Sequence, residues 1–173
     1  MKHLTDAIRD FASLLEKNHK WIVILFFVIY LITGILLFDD YGLAIDEMTQ
    51  RHWGNEYFDL ITQKDPAEIE VQGKYYGPFL DIVKSFEEHL FKLNDSRDIF
   101  LSFHLTNFLL FYFGVIVFFF LGLKVFKRWS LSLLACAILL LSPRIFAESF
   151  FNPKDTPLLV LYIISIYFVW LLY

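Results

Sequence analysis

The chain has 173 residues, 57% of them hydrophobic and 20% aromatic, with 21 Phe and a formal net charge of −4. This is too apolar for a soluble domain of its size and lacks the basic excess of a nucleic-acid binder, so no nucleic-acid partner is expected. The composition predicts an all-α polytopic membrane protein, with about four transmembrane helices and interfacial helices in its first outer loop, because a helix satisfies its own backbone polar groups in lipid.

Residues 1–20 are a short segment carrying Lys2, Arg9, Lys17 and Lys20, predicted to stay in the cytoplasm. Residues 21–38, WIVILFFVIYLITGILLF, run 18 positions without a charge, close to the ~20 a hydrocarbon core requires, and form the first span. The run is longer than the ~7 to 15 residues of a signal-peptide core, and YGLAID after it is a poor cleavage site, so it reads as an uncleaved anchor. Residues 39–98 carry 14 acidic and 6 basic side chains and are predicted to face outward.

Two parts of this outer segment have helical spacing. Phe79, Ile82, Val83, Phe86, Leu90 and Leu93 form one apolar stripe with Pro78 at its first turn, which predicts a surface helix with that stripe toward lipid or the membrane domain. From Glu47 to Ile61 the pattern is weaker, with Trp53, Tyr57, Leu60 and Ile61 on one side and Gly54 inside it. Between the two, TQKDPAEIEVQGKYYGP is punctuated by Pro and Gly as a loop.

Residues 99–123 contain no Lys, Arg, Asp or Glu and form the second span. His104 and Asn107 lie one turn apart near its outer end, where residues of these types most often hydrogen-bond across helices; lining a substrate cavity is the alternative. Residues 124–128 make a basic turn with Lys124, Lys127 and Arg128, predicted to be cytoplasmic. Residues 129–141 give a short third span that must borrow length beyond Pro143 or re-enter the membrane, residues 142–157 an outer loop, and residues 158–173 a fourth span. The lone Cys136 can form no disulfide within the chain. The sequence ends inside its last apolar run and reads as the N-terminal part of a longer protein.

The chemistry concentrates in the two outer segments. In FDDYGLAIDEMTQR, Asp46 stands where a carboxylate can cap a helix start, and Glu47 precedes Arg51 by four residues, the order of a favourable surface pair. In LSPRIFAESFFNPKDTPLL, Arg144, Glu148, Lys154 and Asp155 interleave with Phe146, Phe150 and Phe151. Charges this close to lipid are costly and usually functional.

An acidic pair just after the first span, interfacial helices in the first outer loop, and a Pro-rich aromatic second loop reading SPRIFAESFFNPKDTP together resemble the GT-C superfamily of membrane glycosyltransferases. The likeness is to the family 39 branch of protein O-mannosyltransferases and aminoarabinose transferases. The resemblance implies transfer of a monosaccharide from a polyprenyl-phosphate donor to a hydroxyl of a glycan, lipid or protein acceptor, on the extracytoplasmic face of a bacterial inner membrane. It makes Asp46 the catalytic base and assigns substrate binding to Glu47, Lys74, Tyr76, Arg144, Lys154 and Asp155. A divalent metal ion, if used, would rest on Asp46 and Glu47. The competing expectation is a non-catalytic assembly subunit or a transporter fragment, although transporters place their ionisable groups at mid-membrane along broken helices, not in the loops.

Overall fold

The computed structural model describes residues 2–62 and 77–173, and every element among them is helical. In chain order these are α1 (Lys2–Lys17), α2 (His19–Leu37), α3 (Ile45–Thr62), α4 (Phe79–Phe91), α5 (Ser96–Phe126), α6 (Trp129–Leu140), α7 (Pro143–Phe151) and α8 (Asp155–Leu172). Helices α2, α5 and α8 are long and apolar enough to cross a membrane, and α6 with α7 qualify only as a pair bent by 71°. The molecule is an all-α, membrane-integrated chain with three such helices among the described residues, or four if the bent pair counts as one.

Helix α5 is the axis of the bundle, packing against α6, α7, α8, α2 and α4. It outruns the predicted span at both ends. Asp95 caps its start by accepting from the Arg97 and Asp98 backbone N–H groups at 2.8 and 3.4 Å. At the other end Lys127, in the left-handed region at φ 54°, closes the helix and leaves Arg128 to lead into α6.

The core is aromatic. Phe27 and Tyr30 of α2 meet Phe108, Phe111 and Phe119 of α5, and Phe108 stacks on Phe150 of α7 with ring centroids 5.1 Å apart. The Phe108 ring lies directly over Gly34, where any side chain would collide with it. Small residues at such crossings let membrane helices approach closely.

One sequence expectation changes here, and one segment read only for its charge gains a helix. The segment 142–157 is not an extended loop, because Pro143 sits at the first turn of α7, where its fixed φ suits a helix start and its missing N–H costs nothing. The basic segment 1–20 contains a full helix, α1, ahead of the first span. Helix α4 forms over the predicted stretch, and its two faces divide clearly. Phe79, Val83, Phe86 and Leu90 are exposed, whereas Leu80, Asp81, Lys84 and Ser85 are buried. It packs on α3 at Gly54, where a Cβ would stand 2.5 Å from the Asp81 carbonyl oxygen.

Candidate functional site

The first turn of α3 sends its two acidic residues in opposite directions. Glu47 reaches back to accept from the Ala44 backbone N–H at 2.8 Å, the side-chain half of a capping box, while its carboxylate buries to 1% exposure. There it meets His104 Nε2 of α5 at 3.0 Å. His104 Nδ1 faces the Phe38 carbonyl at 3.4 Å, so the ring has an oxygen on each side. The Glu47–Arg51 pair expected from spacing does not form. Arg51 instead makes a two-point contact with Glu88 of α4 at 2.6 and 2.8 Å.

Asp46 points outward and remains 65% exposed. Among the described residues it accepts no backbone capping bond; its partner is Lys154, whose Nζ lies 3.2 Å from Oδ2. Lys154 also sits 5.9 Å from the Trp53 ring centre. The link from α3 to the start of α8 is held from below. Asn107 donates to the Asn152 carbonyl at 2.9 Å, and the Asn152 side-chain oxygen accepts from the Lys154 and Asp155 backbone N–H groups at 3.1 and 2.9 Å. Asn152 also donates to Asp155 Oδ2 at 3.0 Å. His104 and Asn107 thus act as bridges across helices, the reading their residue types favoured.

Two recesses open on this junction. One of about 300 Å³ is lined by Asp46, Phe151, Pro153, Lys154 and Asp155, among others. Its neighbour, about 430 Å³, adds Gln50, Asp81, Phe79, Leu80, Leu158 and Leu161 to Lys154 and Asp155. Leu158 and Leu161 are exposed on α8, so the second recess grades from charged groups to an apolar helix face. A cavity of about 560 Å³ on another face of α3 is lined by Arg51, Arg97, Phe100 and His104 among others, but not by Asp46 or Lys154. The smaller recesses form the candidate site: Asp46 and Lys154 both line the first, and Lys154 with Asp155 lines the second as well.

Behind them lies a buried layer that sequence reasoning missed. Lys84 of α4 is 4% exposed, its ammonium 5.2 Å from the Phe103 ring centre. Burial pulls Lys84 down to about 8, with Glu47, Asp81 and Glu87 opposing the shift. Burial likewise pushes Asp81 up to about 6, only partly offset by Lys84 and Lys154. Charges of alternating sign therefore run from Lys154 through Asp81 and Lys84 to Glu47. The signal available in the sequence was that Asp81 and Lys84 share one face of α4, opposite its apolar stripe.

The other predicted residues fare differently. Arg144 is 87% exposed and taken up by Glu148 on its own helix at 2.7 Å. It lines neither recess. Lys74 and Tyr76 lie outside the described residues. Because Asp46 and Glu47 diverge, a divalent ion shared by the two does not fit this arrangement, and among the described residues no three His, Cys, Asp or Glu side chains gather as a metal site. No family model, curated protein or solved structure matches this chain.

Proposed function

We propose that the chain carries the base and cation of a GT-C-like, family 39-like glycosyltransferase, which moves a monosaccharide from a polyprenyl-phosphate donor to an acceptor hydroxyl at the extracytoplasmic face. In this reading α6 with α7 makes a fourth span, α3 and α4 lie at the outer interface, and the chain resides in a bacterial inner membrane. The observation that carries it is the exposed Asp46 carboxylate, held 3.2 Å from Lys154, a cation that lines both the recess of Asp46 and the neighbouring one that grades into the apolar face of α8. A lipid phosphate needs this combination of a cation for its head and an apolar wall for its chain.

The chemistry follows from the charges. The acceptor O–H gives its proton to Asp46 as its oxygen bonds to the anomeric carbon. The bond from that carbon to the phosphate oxygen breaks, and the electron pair leaves with the phosphate. The leaving group is already anionic, so the site has to stabilise negative charge and needs no acid to protonate it. Lys154 supplies the opposing positive charge from a helix start that Asn107 and Asn152 keep in place. Asp155 lines the same recesses and meets substrate hydroxyls. Glu47, tied to His104, fixes the turn from which Asp46 projects.

A polyprenyl-phosphate sugar with a photoreactive group in its chain tests the location. Crosslinks at Leu158 and Leu161, competed by unlabelled donor, are the expected result. Crosslinks confined to the cavity beside Phe100, or labelling that donor does not compete, would overturn it.

A further inference from the structure

The end of the bundle remote from Asp46 carries a cluster of positive charge. Lys17 and Lys20 flank the α1–α2 junction, and Lys124, Lys127 and Arg128 occupy the end of α5 and its turn into α6. All are exposed, and among the described residues none has an ion pair or a side-chain hydrogen bond. Two contacts bring the groups together. Trp129 Nε1 donates to Glu16 Oε2 at 2.8 Å, and the Trp129 ring lies 5.9 Å from His19. Glu16 keeps its negative charge beside the cluster, where five cations outnumber it.

A recess of about 390 Å³ opens here, lined by Glu16, Lys127, Arg128, Trp129 and Ser130. Lys127 and Arg128 are the whole turn between two helices, so neither can withdraw from the surface. Lys127 takes a positive φ that glycine adopts more readily. At the adjoining ends of α2 and α5, helices fit to cross a membrane, Trp21, Val125 and Phe126 are exposed apolar side chains. Cations over an apolar collar at the end of a helix bundle match one chemical class, an acidic lipid headgroup whose acyl chains continue along the helices.

We propose that this recess binds the phosphate of an anionic phospholipid, held by Lys127 and Arg128 with its chains along Trp21 and Phe126. The site is independent of the transferase reading and lies at the opposite end of the molecule. Native mass spectrometry of the purified protein with phosphatidylglycerol or phosphatidylcholine tests it. Wild type retains phosphatidylglycerol in preference, inorganic phosphate at matched concentration does not displace it, and Lys127→Gln with Arg128→Gln weakens retention by roughly fivefold per cation removed. Lys92→Gln, at the far end, leaves retention unchanged. Equal retention of the two lipids by wild type overturns the proposal without recourse to any variant. So does undiminished retention by the double variant, and displacement by inorganic phosphate would make this a free-phosphate site instead.

Discussion

Glu47 shows what a residue's neighbours in sequence cannot reveal. Its spacing to Arg51 is that of a helix surface pair, worth about 0.2–0.5 kcal/mol, yet its partner is His104, 57 positions away and almost completely buried. Removing one member of a buried pair leaves the other uncompensated, so Glu47→Ala is expected to cost about 3–5 kcal/mol, read as a large drop in thermal stability. A loss of only a few tenths would return Glu47 to the surface-pair role. The helix-start position of Asp46 suggested a backbone cap, and only the family resemblance made it a candidate base; that its bond is to Lys154 and not to the backbone required the fold. Asp81 and Lys84 give the site a pH signature. Folded Asp81 holds its proton to about 6 against 3.8 ordinarily, so the unfolded chain binds fewer protons in that window and stability falls as pH rises through it. Lys84 works in the opposite sense at higher pH: between about 8 and 10.5 the unfolded chain binds more protons, and stability rises. Unfolding temperatures across pH in detergent should show both limbs, with Asp81→Asn flattening the acid one; an unchanged acid limb would assign it elsewhere.

At the scale of elements, α4 was predicted from a regular apolar stripe, and periodicity alone located the helix well. Periodicity could not say which face turns inward. In a soluble protein the stripe would be the buried side, but here the order is reversed: the stripe is exposed, and Asp81, Lys84 and Ser85 face the protein. Gly54, which weakened the prediction of α3, is what allows the two helices to meet. Gly54→Ala would thrust a methyl group at the Asp81 carbonyl, and an overpacking cost of about 1–3 kcal/mol is expected. If this variant matched wild type in thermal stability, the close α3–α4 crossing would be wrong. Helix α7 was missed for a different reason. Pro-rich segments read as loops, and only the position of Pro143 within the first turn reverses that sense.

For the whole molecule, the long uncharged runs made α2, α5 and α8 readable from the order of amino acids alone, because lipid leaves a helix few alternatives. The contacts that build the site were not readable, since they join α3 to the α7–α8 junction over more than a hundred residues. The proposed topology predicts that, in a Cys136→Ser background, an impermeant thiol reagent modifies Asp65→Cys and spares Lys127→Cys; the reverse pattern would invert the molecule in the membrane. The transferase reading rests finally on Asp46. Asn has Asp's shape without its proton-accepting charge, so Asp46→Asn should keep expression, thermal stability and donor binding near wild type. Measured with purified full-length protein and a labelled polyprenyl-phosphate sugar, its transfer is predicted to fall on the order of a hundredfold or more, whereas near-normal transfer by a well-folded Asp46→Asn protein would contradict the assignment of Asp46 as the base.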